Sequence, residues 1–383
     1  MSKNTERRAV AIVGTRGYPS YYGGFETAVR RLAPYLVDAG WDVTVYGRPG
    51  TTVDDDPEHD ARVRTVTTWG VESKSLSTLT YGLSAALHVA RRRPAVALVM
   101  NVANGFWLPI YRLAGVRTVV NVDGMEWERA KWNRIAKAVF KLGAKLTARW
   151  ADELVVDAEE IGRRWEAQFG RGGTFIPYGG DPADPLPIEP GLEHRRYVLM
   201  VARFVPENTV HEFLEAAEEL ADEHDVVIVG STGYGGELDD MAADLAARKP
   251  RVRWLGHVSD DRRLFSLWQH AGVYFHGHSV GGTNPALVQA MMLGAPTVAR
   301  DTPFNREVLD TAGSFTTPES TKIATAASEL LADAARQESS SEELAQRARG
   351  SYSWDGVCES YESAIARHAA WAVRGVPDWV DAR

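Results

Sequence analysis

What most restricts the fold is a long alternation of short strand patterns, apolar on both faces, with helical patterns of roughly 10–20 residues. The strand patterns are Ala9–Gly14, Asp42–Gly47, Val63–Thr67, Ala95–Val102, Thr118–Asp123, Glu153–Ala158 and Thr174–Tyr178, and then Tyr197–Arg203, Asp225–Ser231, Val252–Val258, Gly272–Gly277 and Pro296–Arg300. A strand that is apolar on both faces must be covered on both, and intervening helices do that for a parallel sheet. Between the two series lies the breaker-rich run Tyr178–Gly191 (YGGDPADPLPIEPG), which reads as a domain boundary. The expected fold class is therefore α/β, with two Rossmann-like, doubly wound parallel-sheet domains facing across a cleft. The domains are placed at 1–180 and 181–355, and a last helix, about 356–383, packs back on the first so that Trp371 and Trp379 are buried there. No solenoid period is present.

A chain of 383 residues, 44% hydrophobic and with net charge −8, has ample core for two domains and is not a general nucleic-acid binder. Cys358 stands alone, so no intrachain disulfide and no cysteine metal site is available. No apolar signal region of about 7–15 residues and no run of about 18 apolar residues is found, and a cytoplasmic location is expected.

Doubly wound sheets hold ligands at the carboxyl ends of their strands, so the polar residues there are the candidates. Ala271–Leu309 reads as strand, glycine loop and helix: Gly281 and Gly282 permit close backbone approach, Thr283 or Asn284 caps the helix, Pro285 opens it, and Gly294 with Pro296 stops it. Amides at such a helix start favour an anion, by about 0.3–1 kcal/mol when exposed and ~2 when partly buried. That is too little to hold a diphosphate, and Arg203, at the end of YVLMVAR, is the cation best placed to add to it. An ordinary capped strand-to-helix turn is the alternative. His276 and His278 end the same strand, and the loop from Gly230 to Gly236, with Gly256, His257 and Val258, ends its neighbours.

In the first half, the loop Gly14–Glu26 (GTRGYPSYYGGFE) carries four glycines and Arg16. Its length and spacing exclude the dinucleotide fingerprint, in which the glycines turn directly into the helix. It is read as contacting phosphate or sugar hydroxyls through Arg16, Gly17, Tyr18, Gly23 and Gly24, or else as a turn-rich surface loop. Asn101, Asn104, Asp123, Glu126 and Glu128 end or follow other strands. Asp123 is a candidate base toward an acceptor hydroxyl, an orienting group, or a structural cap. Asp54-Asp55-Asp56 is read as a solvated loop, not a metal site. Lys131, Arg134, Lys137, Lys141, Lys145 and Arg149 recur every three or four residues beside an apolar stripe of Trp132, Ile135, Val139, Leu142, Leu146 and Trp150. The stripe is expected to face the core, and the basic row to meet either an anionic membrane or solvent.

These segments resemble the retaining family-4 glycosyltransferases of GT-B fold along nearly the whole chain, and within them the bacterial polysaccharide rhamnosyltransferase-like subgroup. The resemblance is carried by GTRGYPSYYGGFE (14–26), NVDGMEWERAKW (121–132), FIPYGGDP (175–182), VARFVPENTVH (201–211), LGHV (255–258), HGHSVGGTNPALVQAM (276–291) and DTPFNREVL (301–309). It implies a nucleotide-sugar donor, a saccharide or lipid-diphosphate-linked acceptor, no metal or cofactor, and retention by front-face attack. The implied donor is dTDP-L-rhamnose and the implied setting polysaccharide or glycoconjugate assembly. Arg203 then holds the diphosphate with the amides of Gly282, Thr283 and Asn284, assisted by Gly230, His257, Val258 and His278, while Gln289 takes the ribose; Arg16 and Asp123 act at the reaction centre. Gly17, Tyr18, Gly23, Gly24, Asn104 and Glu126 face the acceptor. The chain departs from the pattern at Asn208, where a lysine is common and for which His211 is a weak substitute, at Gly281, and at Gln289 in place of a glutamate. A nucleotide-sugar epimerase of the same fold and a non-catalytic sugar-nucleotide-binding partner protein are the competing readings.

Overall fold

The computed structural model describes residues 8–21, 23–52, 55–72, 77–129 and 132–374, the last five without their side chains. Asp54, Lys131 and Trp379, and the side chain of Trp371, lie outside the described residues. The chain divides into two compact units, Met1–Pro177 with Trp354–Arg383, and Tyr178–Ser353.

In the first unit seven strands form a parallel sheet: β1 (Ala9–Val13), β2 (Asp42–Gly47), β3 (Arg64–Thr67), β4 (Val96–Met100), β5 (Arg117–Asn121), β6 (Glu153–Val156) and β7 (Thr174–Phe175), in the order β3-β2-β1-β4-β5-β6-β7. Every residue of the central β4 is buried, which is why it reads as an unbroken apolar run and not as an alternation. The second unit repeats the plan with β8 (Tyr197–Val201), β9 (Asp225–Val229), β10 (Val252–Gly256), β11 (Val273–His276), β12 (Thr297–Arg300) and β13 (Ser314–Thr316), in the order β10-β9-β8-β11-β12-β13, also parallel. Twelve of the thirteen strands coincide with the patterns read from sequence; β13, three residues long, was too short to show a period.

In each unit the strand order reverses beside the first strand, between β1 and β4 and between β8 and β11. The carboxyl ends there are the topological switch points at which doubly wound sheets leave a crevice.

The helix Trp354–Arg374 belongs to the first unit. Trp41 Nε1 donates to Glu362 (3.1 Å), Asn121 Nδ2 to the Tyr361 hydroxyl (2.6 Å), and Glu153 accepts from His368 Nε2 (2.7 Å), Arg367 and Thr174. Burial pushes the Glu153 carboxyl up, but these hydrogen bonds outweigh it and hold the pKa at about 2. A carboxylate depressed in the folded state contributes stability that is complete above its unfolded pKa and disappears as pH falls toward 2. With solvent screening allowed for, the contribution is about 1–2 kcal/mol. Glu153→Gln is therefore expected to lower stability at pH 7 by that amount and to flatten the loss between about pH 4.5 and 2. Denaturant melts of both forms across this range check it.

Candidate functional site

At the second unit's switch point, the loops after β8 and β11 are joined by direct hydrogen bonds. Thr209, buried and left-handed (φ 57°), donates its hydroxyl to the Gly277 carbonyl (2.6 Å) and accepts from Arg300 (2.9 Å). Ser279 donates its amide and hydroxyl to the Glu207 carbonyl (2.9 and 2.8 Å), and Asn305 Nδ2 donates to the His278 carbonyl (3.0 Å). Gly277 allows this closeness, since a Cβ there would stand 2.4 Å from the Asn208 carbonyl oxygen.

Arg203 leaves this framework as an exposed side chain with no hydrogen bond or ion pair among the described residues. Its backbone is fixed by Asn208, whose Nδ2 donates to the Arg203 carbonyl (2.9 Å). Asn208 is thus a buried strut, not a gap in the site's charge. His211 is exposed and lies 3.7 Å from Glu215 on its own helix. Burial first, and then the Arg203 charge, push the His278 ring down to about 3. The ring is neutral, and the guanidinium's field reaches it. His276 stacks under His278 with centroids 4.4 Å apart and meets the Tyr274 hydroxyl through Nδ1 (3.0 Å).

The helix Pro285–Met292 starts as expected, with the Asn284 side chain accepting from the Ala286 amide (2.9 Å). Gly281 has φ +110° with open space where a Cβ would lie. The amides of Gly281, Gly282 and Asn284 donate no hydrogen bond among the described residues, and Thr283 is buried beside them. Gln289 is pinned: its Oε1 accepts from the Asp181 amide (2.9 Å) and its Nε2 donates to the Asp181 carbonyl (2.8 Å). One further donor and one acceptor position remain on its side-chain amide. Glutamate could not make the second of these bonds, since an ionised carboxylate has no proton to donate.

Gly230 is held by its surroundings: its amide donates to the Gly256 carbonyl (2.7 Å) and its carbonyl accepts from Trp254 Nε1 (2.9 Å). A Cβ would lie 1.8 Å from the Ala202 carbonyl oxygen, so this position shapes the floor beneath Arg203. His257 is exposed and Val258 half-buried beyond β10.

In the first unit the loop after β1 keeps Arg16 partly exposed, its amide donating to Glu26 (3.0 Å). Gly17 is buried, and Gly23 and Gly24 open the helix Gly24–Asp38, which therefore begins inside the loop read as Gly14–Glu26. Three assignments to acceptor contact need correction. Tyr18 is 0% exposed, with its hydroxyl near the Asp60 amide (3.2 Å), and is a core residue. Asn104 is 1% exposed and donates to the Met100 carbonyl (2.8 Å), supporting the strand end from below. Glu126 is buried, paired with Arg129 (2.6 Å) and accepting from Trp132 Nε1 (2.8 Å). Asp123 is left-handed (φ 57°) and partly exposed, with its amide on Asn121 Oδ1 (2.9 Å).

The basic helix spans Arg134–Trp150, so Trp132 precedes it. Its core face is not the large apolar stripe but Gly143, Ala144 and Thr147, packed against the turn Val102–Trp107. A Cβ on Gly105 would lie 2.3 Å from the Gly143 carbonyl oxygen, an approach only small residues permit. Ile135 is left 76% and Leu142 49% exposed, beside exposed Arg134, Lys141, Lys145 and Arg149. None of these four cations has an ion pair among the described residues.

Comparison with known proteins agrees with this architecture. Residues 187–351 match the family described as Glycosyl transferases group 1, and residues 7–181 match a domain of unknown function, DUF1972. No curated protein matches the sequence. Among solved structures, sucrose-phosphate synthase from Thermosynechococcus elongatus superposes with TM-score 0.77 at 18% identity, covering 95% of this chain and 100% of that one. HepE of Anabaena in complex with UDP gives 0.71 at 16%, over 94% and 100%. TarM of S. aureus, a mutant in complex with Fondaparinux, alpha-GlcNAc-glycerol and UDP, gives 0.70 at 10%, over 94% and 100%. The fold is GT-B, and together with the group 1 match it supports a glycosyltransferase.

The packing of Gly230 is tested directly by Gly230→Ala. Both the positive φ (129°) and the clash with Ala202 oppose it, and the loss of stability is expected at about 3 kcal/mol or more, read from the denaturation midpoint.

Proposed function

We propose that the chain is a retaining hexosyltransferase that moves L-rhamnose from dTDP-L-rhamnose to a saccharide hydroxyl in polysaccharide or glycoconjugate assembly. The observation that carries the donor half of this reading is Arg203: a cation without a partner among the described residues, at a switch point where the loop after the neighbouring strand carries free amides. An unpaired guanidinium beside oriented N–H groups is suited to a diphosphate, with bidentate bonds from the one and dipoles from the other. The UDP bound in the HepE and TarM structures supports a nucleoside diphosphate as the ligand class. The subgroup resemblance supports thymidine, rhamnose and retention.

In this reading the leaving diphosphate is stabilised by Arg203 and the amides of Gly282, Thr283 and Asn284, charges that are already oriented before the bond breaks. Gln289 takes the ribose through its remaining hydrogen-bond positions. His278, neutral and stacked on His276 within the field of Arg203, adds no charge that competes for the anion. In the first unit, Arg16, Asp123 and the loop 14–24 position the acceptor hydroxyl, and no metal is required. Arg203→Ala is expected to lower kcat by about 10²–10³-fold while leaving the melting temperature nearly unchanged, as befits an exposed residue. A thermal-shift panel of nucleoside diphosphates should show thymidine diphosphate stabilising the wild type and not the variant. Equal turnover by both proteins would overturn the assignment, and preference for another base would redirect the donor.

The basic helix supports a lipid-linked acceptor at an anionic membrane face. Ile135 and Leu142 supply the apolar contact, and Arg134, Lys141, Lys145 and Arg149 the charge, each worth about 1 kcal/mol near such a surface. Co-sedimentation with phosphatidylglycerol vesicles should be salt-sensitive and should fall about tenfold or more in the Lys141→Glu, Lys145→Glu double variant.

A further inference from the structure

The first unit contains a second concentration of unsatisfied polar groups, bordering the loop 14–24, where the Arg48 amide donates to the Arg16 carbonyl (2.7 Å). Three adjacent strands, β1, β2 and β3, each place a polar residue just past their carboxyl ends: Thr15, Arg48 and Thr68. The helix Ser77–Arg92 closes over them with Thr78, Tyr81 and Gly82, leaving a narrow crevice that is partly open to solvent.

Arg48 is only 9% exposed and Thr15 5%. The Arg48 Nε and the Thr15 hydroxyl are buried with no hydrogen-bond partner among the described residues. The guanidinium lies over the Tyr81 ring, 5.0 Å from its centroid, and is paired with Glu72, which is exposed and 3.9 Å away. The Thr68 hydroxyl donates to the Gly47 carbonyl (2.8 Å) and keeps its acceptor capacity. A buried cation with a free N–H and a free hydroxyl beside it loses hydration without replacing it, which costs free energy unless an anion completes the site. Burial, and then the nearby Arg16 charge, push the Arg48 guanidinium down, with Glu72, Tyr81 and Glu26 acting the other way.

We propose that this crevice binds an oxyanion, a phosphate or a carboxylate carried by the saccharide acceptor, with Arg48 Nε and the Thr15 hydroxyl as its donors. The crevice is narrow, so the charged group enters and the sugar stays outside. Assignment of the ligand to the acceptor rests on the transferase reading; oxyanion binding by Arg48 does not.

The test separates the two. Inorganic phosphate, glucose 6-phosphate, glucuronate and glucose are titrated calorimetrically, at constant ionic strength, into full-length Arg203→Ala, which removes the cation proposed for the donor site. At least one of the two charged sugars should bind and glucose should not, the preferred one identifying the oxyanion. Adding Arg48→Gln should weaken binding at least about tenfold, and Thr15→Val by a smaller factor. If Arg48→Gln does not fold by circular dichroism, Arg48→Lys and Thr15→Val carry the comparison. Binding of inorganic phosphate without either charged sugar would overturn the acceptor assignment. No oxyanion binding, or binding that these substitutions leave unchanged in folded protein, would overturn the site.

Discussion

The carboxyl-terminal edge of the second unit's sheet depends on the hydroxyl of Thr209. It is wholly buried, donates to Gly277 and accepts from Arg300, and so joins the ends of β8, β11 and β12 at one atom. Without that bond the Gly277 carbonyl would be a buried acceptor lacking this donor, at a cost of roughly 1–3 kcal/mol. More important, the loops bearing Arg203 and His278 would lose the contact that sets their spacing. The left-handed backbone of Thr209 is a strained conformation for a β-branched residue, and the three-way connection is what offsets it. Asn208 and Asn305 continue the same logic, each spending its side-chain amide on a backbone carbonyl of a neighbouring segment. The cation therefore stands on a rigid floor while its own side chain remains free.

The helix Arg134–Trp150 shows the opposite use of sequence. Glycine, alanine and threonine give it the close approach to the turn Val102–Trp107, so van der Waals contact and backbone proximity hold it, not large side chains. Its isoleucine and a leucine are then available at the surface, among cations. An apolar stripe normally goes to the core because burying each large side chain is worth about 1.5–3 kcal/mol. Leaving Ile135 at 76% exposure forgoes most of that gain, which is consistent with a partner surface that restores it.

Much of this was readable from residue patterns because strand runs and glycine-to-proline punctuation are local. The strand runs, the capped start at Asn284–Pro285 and the place of Arg203 at a strand end follow from such signals, whereas the strand order of both sheets does not. What was not legible depends on which groups find partners. Tyr18, Asn104 and Glu126 look like site residues because they are polar and follow strands, yet Asp60, Met100, and Arg129 with Trp132 engage them. Conversely, Arg48 follows β2 in an ordinary Gly-Arg-Pro-Gly turn, and nothing local distinguishes it; only the helix packed over it buries the guanidinium. The small-residue face of the basic helix was missed for a related reason: periodicity weights large apolar residues, whereas close packing is set by small ones.

Charge placement joins these elements. The chain carries net charge −8, so the average field repels anions, and an anionic ligand binds only where cations are concentrated and unneutralised. Many arginines here are paired with carboxylates, as at Arg248 with Glu218 and Asp244, Arg263 with Glu189, and Arg306 with Asp301. Arg203 and the row on the basic helix have no such partner among the described residues, and Arg48 has only a distant one. Beyond about 8–10 Å, physiological salt screens the acidic background, so each of these cations governs its own surroundings. An acidic chain with a few unpaired cations at strand ends thereby discourages indiscriminate polyanion binding while admitting small anions one at a time, which is the selectivity a transferase handling a charged donor requires.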